Sequence, residues 1–111
     1  MKKIDQETQE KIQQLQIFEQ NLQNLLLQKQ AFQMELNETE NALSEIEKTK
    51  EDVFKMISNI MIKTDKTKLN EELNRKKDLL NLRLKSIDSQ ENEFSKQLEA
   101  LRKEIMKKFK Q

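Results

Sequence analysis

Stepping alternately three and four residues from Leu15 meets Leu15, Phe18, Leu22, Leu25, Lys29, Phe32, Leu36, Thr39, Leu43 and Ile46, apolar everywhere except Lys29 and Thr39. The same walk later in the chain meets Leu73, Lys77, Leu80, Leu84, Ile87, Glu91, Phe94, Leu98, Leu101 and Ile105, apolar except Lys77 and Glu91. A narrow stripe repeating every seven residues is the seam of a coiled coil. It predicts one helix from about residue 5 to about 50 and a second from about 66 to about 109. Arms of equal length imply that the chain folds back on itself, which brings Lys29 near Glu91 and Thr39 near Lys77. The polar breaks then face one another. Such residues cost stability and fix register.

Between the arms the pattern changes. Val53, Phe54, Met56 and Ile57 form one apolar, partly β-branched run, and Ile60, Met61 and Ile62 form another, with Ser58-Asn59 between them. This predicts a β-hairpin over 53–64, with Asn59 suited to the positive φ that a two-residue turn requires. In that register Val53, Lys55 and Ile57 share a face with Ile60, Ile62 and Thr64. Phe54 and Met56 share the other with Met61 and Lys63. Both faces are mainly apolar. A continuous helix through the same residues would place apolar side chains all round its circumference, so the hairpin accounts for more of them. An isolated hairpin is marginal in water and leaves its edges unpaired, so this one predicts a partner. Burial of its apolar side chains is worth on the order of 10 to 20 kcal/mol before association costs.

The flanks agree. Thr64, Asp65 and Thr67 are candidate N-caps for the second arm, with Glu71 and Glu72 soon after, where the helix dipole favours acids. Lys48 and Lys50 suit the end of the first arm.

Composition narrows the function. The 111 residues contain no Gly, Pro, Cys, His, Trp or Tyr; 34% are hydrophobic and 37% charged, with a net charge of +1. Without Gly or Pro, a chain rich in Leu, Glu, Lys, Gln and Asn is built for long helices. The expectation is a single mainly α unit over 1–111: two long helices in an antiparallel coiled coil joined by a central β-hairpin. With neither His nor Cys there is no ordinary nucleophile-base pair or zinc site, and no Gly-rich loop to cradle phosphate, so no enzyme, cofactor or metal is expected. Near-neutral charge and few clustered aromatics argue against nucleic acid. No apolar run approaches the roughly 20 residues that span a bilayer. Met1-Lys2-Lys3-Ile4-Asp5 leads into glutamines rather than an apolar core, so no signal peptide or membrane association is expected, and the cytoplasm is the expected location.

The stretch Val53-Phe-Lys-Met-Ile-Ser-Asn-Ile-Met-Ile-Lys-Thr-Asp65 resembles the prefoldin family, specifically its beta-type subunits, whose pattern is valine, tyrosine, lysine, two apolar residues, glycine and a short apolar strand ending in lysine. The flanks from Gln28 to Glu38 and from Glu71 to Leu79 are similar to that family as well. Phe54 stands where the family carries tyrosine, and Ser58 where it carries glycine; a positive φ at serine costs about 1 kcal/mol. The resemblance implies a subunit of an ATP-independent holdase chaperone that captures unfolded proteins and delivers them to a group II chaperonin. It implies assembly of four beta-type with two alpha-type subunits through barrels of hairpins, here Val53, Phe54, Met56, Ile57, Ile60, Met61 and Ile62.

A holdase needs dispersed apolar surface. In the folded-back arrangement both chain termini meet at the coiled-coil tip, where Met1, Ile4, Ile12, Ile17, Ile105, Met106 and Phe109 are candidate client contacts, with methionine adapting its shape to varied sequences. Lys107, Lys108 and Lys110 beside them are candidates for meeting an acidic chaperonin surface, although lysines also suit a solvated helix end. The rival reading is a structural or tethering antiparallel coiled coil that oligomerises through the central apolar segment.

Overall fold

A computed structural model describes residues 5–110. Its elements are α1 (Gln6–Lys48), β1 (Val53–Ile57), β2 (Ile60–Thr64) and α2 (Lys66–Lys110). Two compact units divide the chain, and each helix contributes to both: a terminal unit, Met1–Lys29 with Ser86–Gln111, and a hairpin unit, Gln30–Lys85.

Helix boundaries follow from local chemistry. Asp5 caps α1: its carboxylate accepts the Thr8 N–H at 2.7 Å and its carbonyl accepts the Gln9 N–H at 3.1 Å. This uses donors that a helix start otherwise leaves unpaired. Hydrogen bonding by Thr8, through its side chain first and its backbone second, pulls the Asp5 carboxyl down from 3.8 to about 2. For α2, the Asp65 carbonyl accepts the Leu69 N–H at 2.9 Å, which selects Asp65 from the three candidate caps. The expected acidic start of α2 is not found, since its first turn holds no acid. Glu71 and Glu72 lie beyond the reach of the dipole.

In the hairpin unit the seam closes over Leu36, Ile46 and Leu80, the last only 2% exposed, with Thr39 also buried. Phe32, Leu43, Leu73, Lys77 and Leu84 flank them, half-buried. The Thr39 hydroxyl donates to the Glu35 carbonyl at 2.8 Å, so this polar break is satisfied within its own helix. Across the seam Lys76 pairs with Glu35 at 3.2 Å, and the Arg83 guanidinium lies 5.4 Å from the centre of the Phe32 ring.

In the terminal unit Leu25, Ile87, Leu98, Leu101 and Ile105 are buried. Phe18 and Phe94 pack with ring centroids 6.2 Å apart and planes tilted by 56°, an arrangement that aromatic quadrupoles favour. Lys29, which the folded-back walk places near Glu91, contacts it at 3.1 Å and also meets Asp88 at 3.0 Å. Hydrogen bonds to Asp88 and then Glu91 raise the Lys29 pKa above its ordinary value. A cation at a seam position is thereby held between two acids, which ties it to one register.

The hairpin pairs Val53 with Thr64, Phe54 with Lys63, Lys55 with Ile62, Met56 with Met61 and Ile57 with Ile60, the register that its alternation predicts. The turn differs. Ser58 takes φ 54° and is the only non-glycine residue with positive φ among those described, so Asn59 does not. Positive φ at the first central residue alone is the type II′ pattern, which twists with the strands. Serine accepts the left-handed conformation there.

Candidate interaction surfaces

The hairpin holds its apolar side chains in solvent. On one face Phe54, Met56 and Met61 are exposed; on the other, Ile57, Ile60 and Ile62 are exposed, while Val53 is half-buried. Met56 reaches 67%. Polar links secure the base. Lys55 hydrogen-bonds Glu72 of α2, which lowers the Glu72 pKa, and Lys63 pairs with Asp52 at 3.2 Å. Lys66 donates to the Thr49 carbonyl at 2.8 Å, so the start of α2 satisfies a carbonyl just past the end of α1. A two-stranded sheet anchored at its base and apolar on both faces is suited to being clasped by other strands.

The terminal unit presents a different surface. Its helices are linked by Lys108 to Asp5 at 3.4 Å, Lys11 to Glu104 at 3.4 Å and Arg102 to Glu19 at 3.1 Å. Partial desolvation disfavours the Lys11 charge, but Glu104 and Glu7 outweigh it and its pKa rises. Beside these pairs Ile17, Met106 and Phe109 stand exposed, each above 50%. Ile12 is half-buried. Met1 and Ile4 lie outside the described residues. Ile105 is 7% exposed. As a seam residue it packs inward, which corrects the expectation that it meets a client directly.

The three terminal lysines differ in their surroundings. Lys108 reaches Asp5, whereas Lys107 and Lys110 border a groove of 720 Å³ along α2, floored by Leu22 and Leu98 and walled by Met106. Periodicity alone did not reveal this groove. Leu26 and Leu27 in the terminal unit, and Met34, Leu79 and Leu82 in the hairpin unit, are likewise exposed. The available signal was simply that each is a large apolar residue off the heptad walk.

Residues 9–111 match the model of the Prefoldin subunit family. The chain belongs to the prefoldin subunit family. Among its prefoldin relatives, the beta subunit of Thermococcus onnurineus is 37% identical over 107 residues, covering 95% of this chain and 92% of that one. The beta subunit of Pyrobaculum islandicum is 41% identical over 90 residues, covering 79% and 72%. The crystal structure of the prefoldin beta subunit from Thermococcus strain KS-1 superimposes with a TM-score of 0.86 at 34% identity, covering 96% of each chain. Two long helices with a central antiparallel hairpin are therefore a prefoldin architecture. Membership makes the chain a subunit of a non-enzymatic chaperone that assembles with other prefoldin subunits, and it sets aside the tethering reading. Among the described residues, no helix is long and apolar enough to cross a membrane.

Proposed function

We propose that this chain is a beta-type prefoldin subunit acting as an ATP-independent holdase in the cytoplasm, assembling as four copies with two alpha-type subunits. Exposure of apolar side chains on both hairpin faces carries this reading, because apolar faces beside unpaired strand edges are a surface that further strands can cover. Val53, Phe54, Met56, Ile57, Ile60, Met61 and Ile62 are the assembly residues. Unfolded clients are gripped at the terminal unit by Ile17, Met106 and Phe109, with Ile12, Met1 and Ile4 adding to the same surface. Several copies holding one client gain avidity from weak individual contacts, so release needs no nucleotide.

Captured clients pass to a group II chaperonin, and the positive charge of Lys107, Lys108 and Lys110 supports a contact with an acidic surface on it. The test combines light scattering with aggregation of a denatured client, each with and without an alpha-type partner. A hexamer that suppresses aggregation is expected. A homodimer that ignores the partner and leaves the client to aggregate would defeat the proposal. Replacing the three lysines with serine is expected to weaken chaperonin binding at low salt; unchanged binding would remove them from that role.

A further inference from the structure

Among the described residues of the terminal unit, two grooves contrast in chemistry. The larger, 720 Å³, sets its apolar floor beside Arg102, Lys103, Lys107 and Lys110. The smaller, 330 Å³, is bordered by Gln14, Phe18, Gln97, Ala100, Leu101 and Glu104 and contains one charged side chain, already engaged with Lys11. In the larger groove Arg102 is paired with Glu19, and Lys103 is 3.9 Å from Glu99, the one acid of the lining. Lys107 and Lys110 have no carboxylate within salt-bridge distance among the described residues.

Lys103, Lys107 and Lys110 follow the four-then-three spacing that lines up side chains on one helix face. Met106, 55% exposed, stands among them. The groove therefore offers parallel apolar and cationic tracks with unmatched positive charge. Hydrophobic clients in general require only the first track; the second discriminates.

We propose that this groove selects client segments of one kind: amphipathic stretches in which Asp or Glu alternate with large aliphatic side chains at helical spacing. The aliphatic side chains fill the space over Leu22 and Leu98 against Met106, and the carboxylates meet Lys103, Lys107 and Lys110. Such a segment, once ordered, presents its anchors at the recurrence used when a helix lies in a groove. The inference rests on the holdase reading and adds the class of client that the terminal unit prefers. Because its charged contacts are exposed, the preference is sensitive to salt.

The test uses the full chain in its assembled form and two fluorescent peptides of about 20 residues with leucine at every third or fourth position, one carrying Glu between them and the other Lys. At low ionic strength the Glu peptide is expected to bind at least about tenfold more tightly, a margin that shrinks as salt is added. The combined variant Lys103→Ser, Lys107→Ser and Lys110→Ser is expected to erase the margin, and arginine at the three positions to restore it. Equal binding of the two peptides by the unaltered protein, or a margin that survives in the serine variant, overturns the proposal. Loss of chaperonin binding with the peptide margin intact assigns the lysines to the chaperonin and overturns it too. Failure of the holdase reading looks different: neither peptide binds, and a denatured client aggregates at its unassisted rate.

Discussion

The hairpin unit and the terminal unit use the same heptad seam beneath two opposite treatments of apolar surface. In the hairpin, apolar side chains are concentrated on both faces of two five-residue strands, with Met56, Ile60 and Met61 each more than 60% exposed. In the terminal unit, the described exposed apolar residues stand among charged side chains, as Met106 does beside Arg102 and Lys107. A dense patch gains from one permanent, complementary partner. A dispersed patch among charges can meet many partners weakly without collapsing on itself.

Charge placed in the dense patch is expected to have the largest effect. Met56→Glu with Ile60→Glu would bury unpaired carboxylates on assembly, at about 3–5 kcal/mol for each buried charge left without a partner. Assembly with alpha-type subunits should weaken at least about 100-fold, measured by light scattering, while circular dichroism keeps its helical signal. Wild-type assembly would remove the hairpin as the interface. Next in size are cavities in the shared seam. Leu80→Ala in the hairpin unit and Leu98→Ala in the terminal unit should each cost about 3 kcal/mol in denaturant unfolding. Equal losses in one transition mean that the two units unfold together; separate transitions split the comparison further.

A smaller, favourable change is expected at the turn. Ser58→Gly relieves the left-handed conformation at φ 54°, and the gain is held to at most about 1 kcal/mol because glycine has more freedom to lose on folding. A lowered denaturation midpoint would mean that the serine hydroxyl contributes more than its backbone conformation costs. The smallest effect is acid fraying of α1. Asp5 has its pKa lowered on folding, so its contribution is complete above 3.8 and is lost as pH falls from there towards about 2. The protection of the Thr8 amide, its exchange rate compared with that of an unstructured amide at the same pH, should fall over that window while Ile87 in the seam stays protected; unchanged protection at Thr8 would deny the cap its role.

Much of this fold is legible because side-chain direction is periodic. Every position on both heptad walks is buried or half-buried, and two-residue alternation across 53–64 sets the pairing of Met56 with Met61. Periodicity places a side chain on a face but does not say how far a flexible one reaches. Lys29 accordingly takes Asp88, a second acid off the walk, together with Glu91. Nor does periodicity choose between neighbours in a turn, where the twist of the strands places positive φ on Ser58 rather than Asn59. The candidate client surface was legible only in part. Ile105 is on the walk and is buried by it, whereas the groove beside Met106 depends on where Leu22 of α1 meets α2.

The lysine that joins the two helices at the hairpin base also bears on the order in which the chain finds its structure. Lys66 and Thr49 are 17 residues apart, as are Lys55 and Glu72, whereas Asp5 and Lys108 are separated by 103. Closing the longer loop first costs more entropy than closing the shorter one. Folding should therefore start at the hairpin base and zip towards the termini, with pulse-labelled amides at Leu69 protected before those at Thr8. The reverse order would contradict this. On the ribosome α1 is made long before most of its seam partner exists, so a nascent copy spends that interval with Leu25 and Leu36 uncovered, in need of the same protection from aggregation that a holdase gives to others.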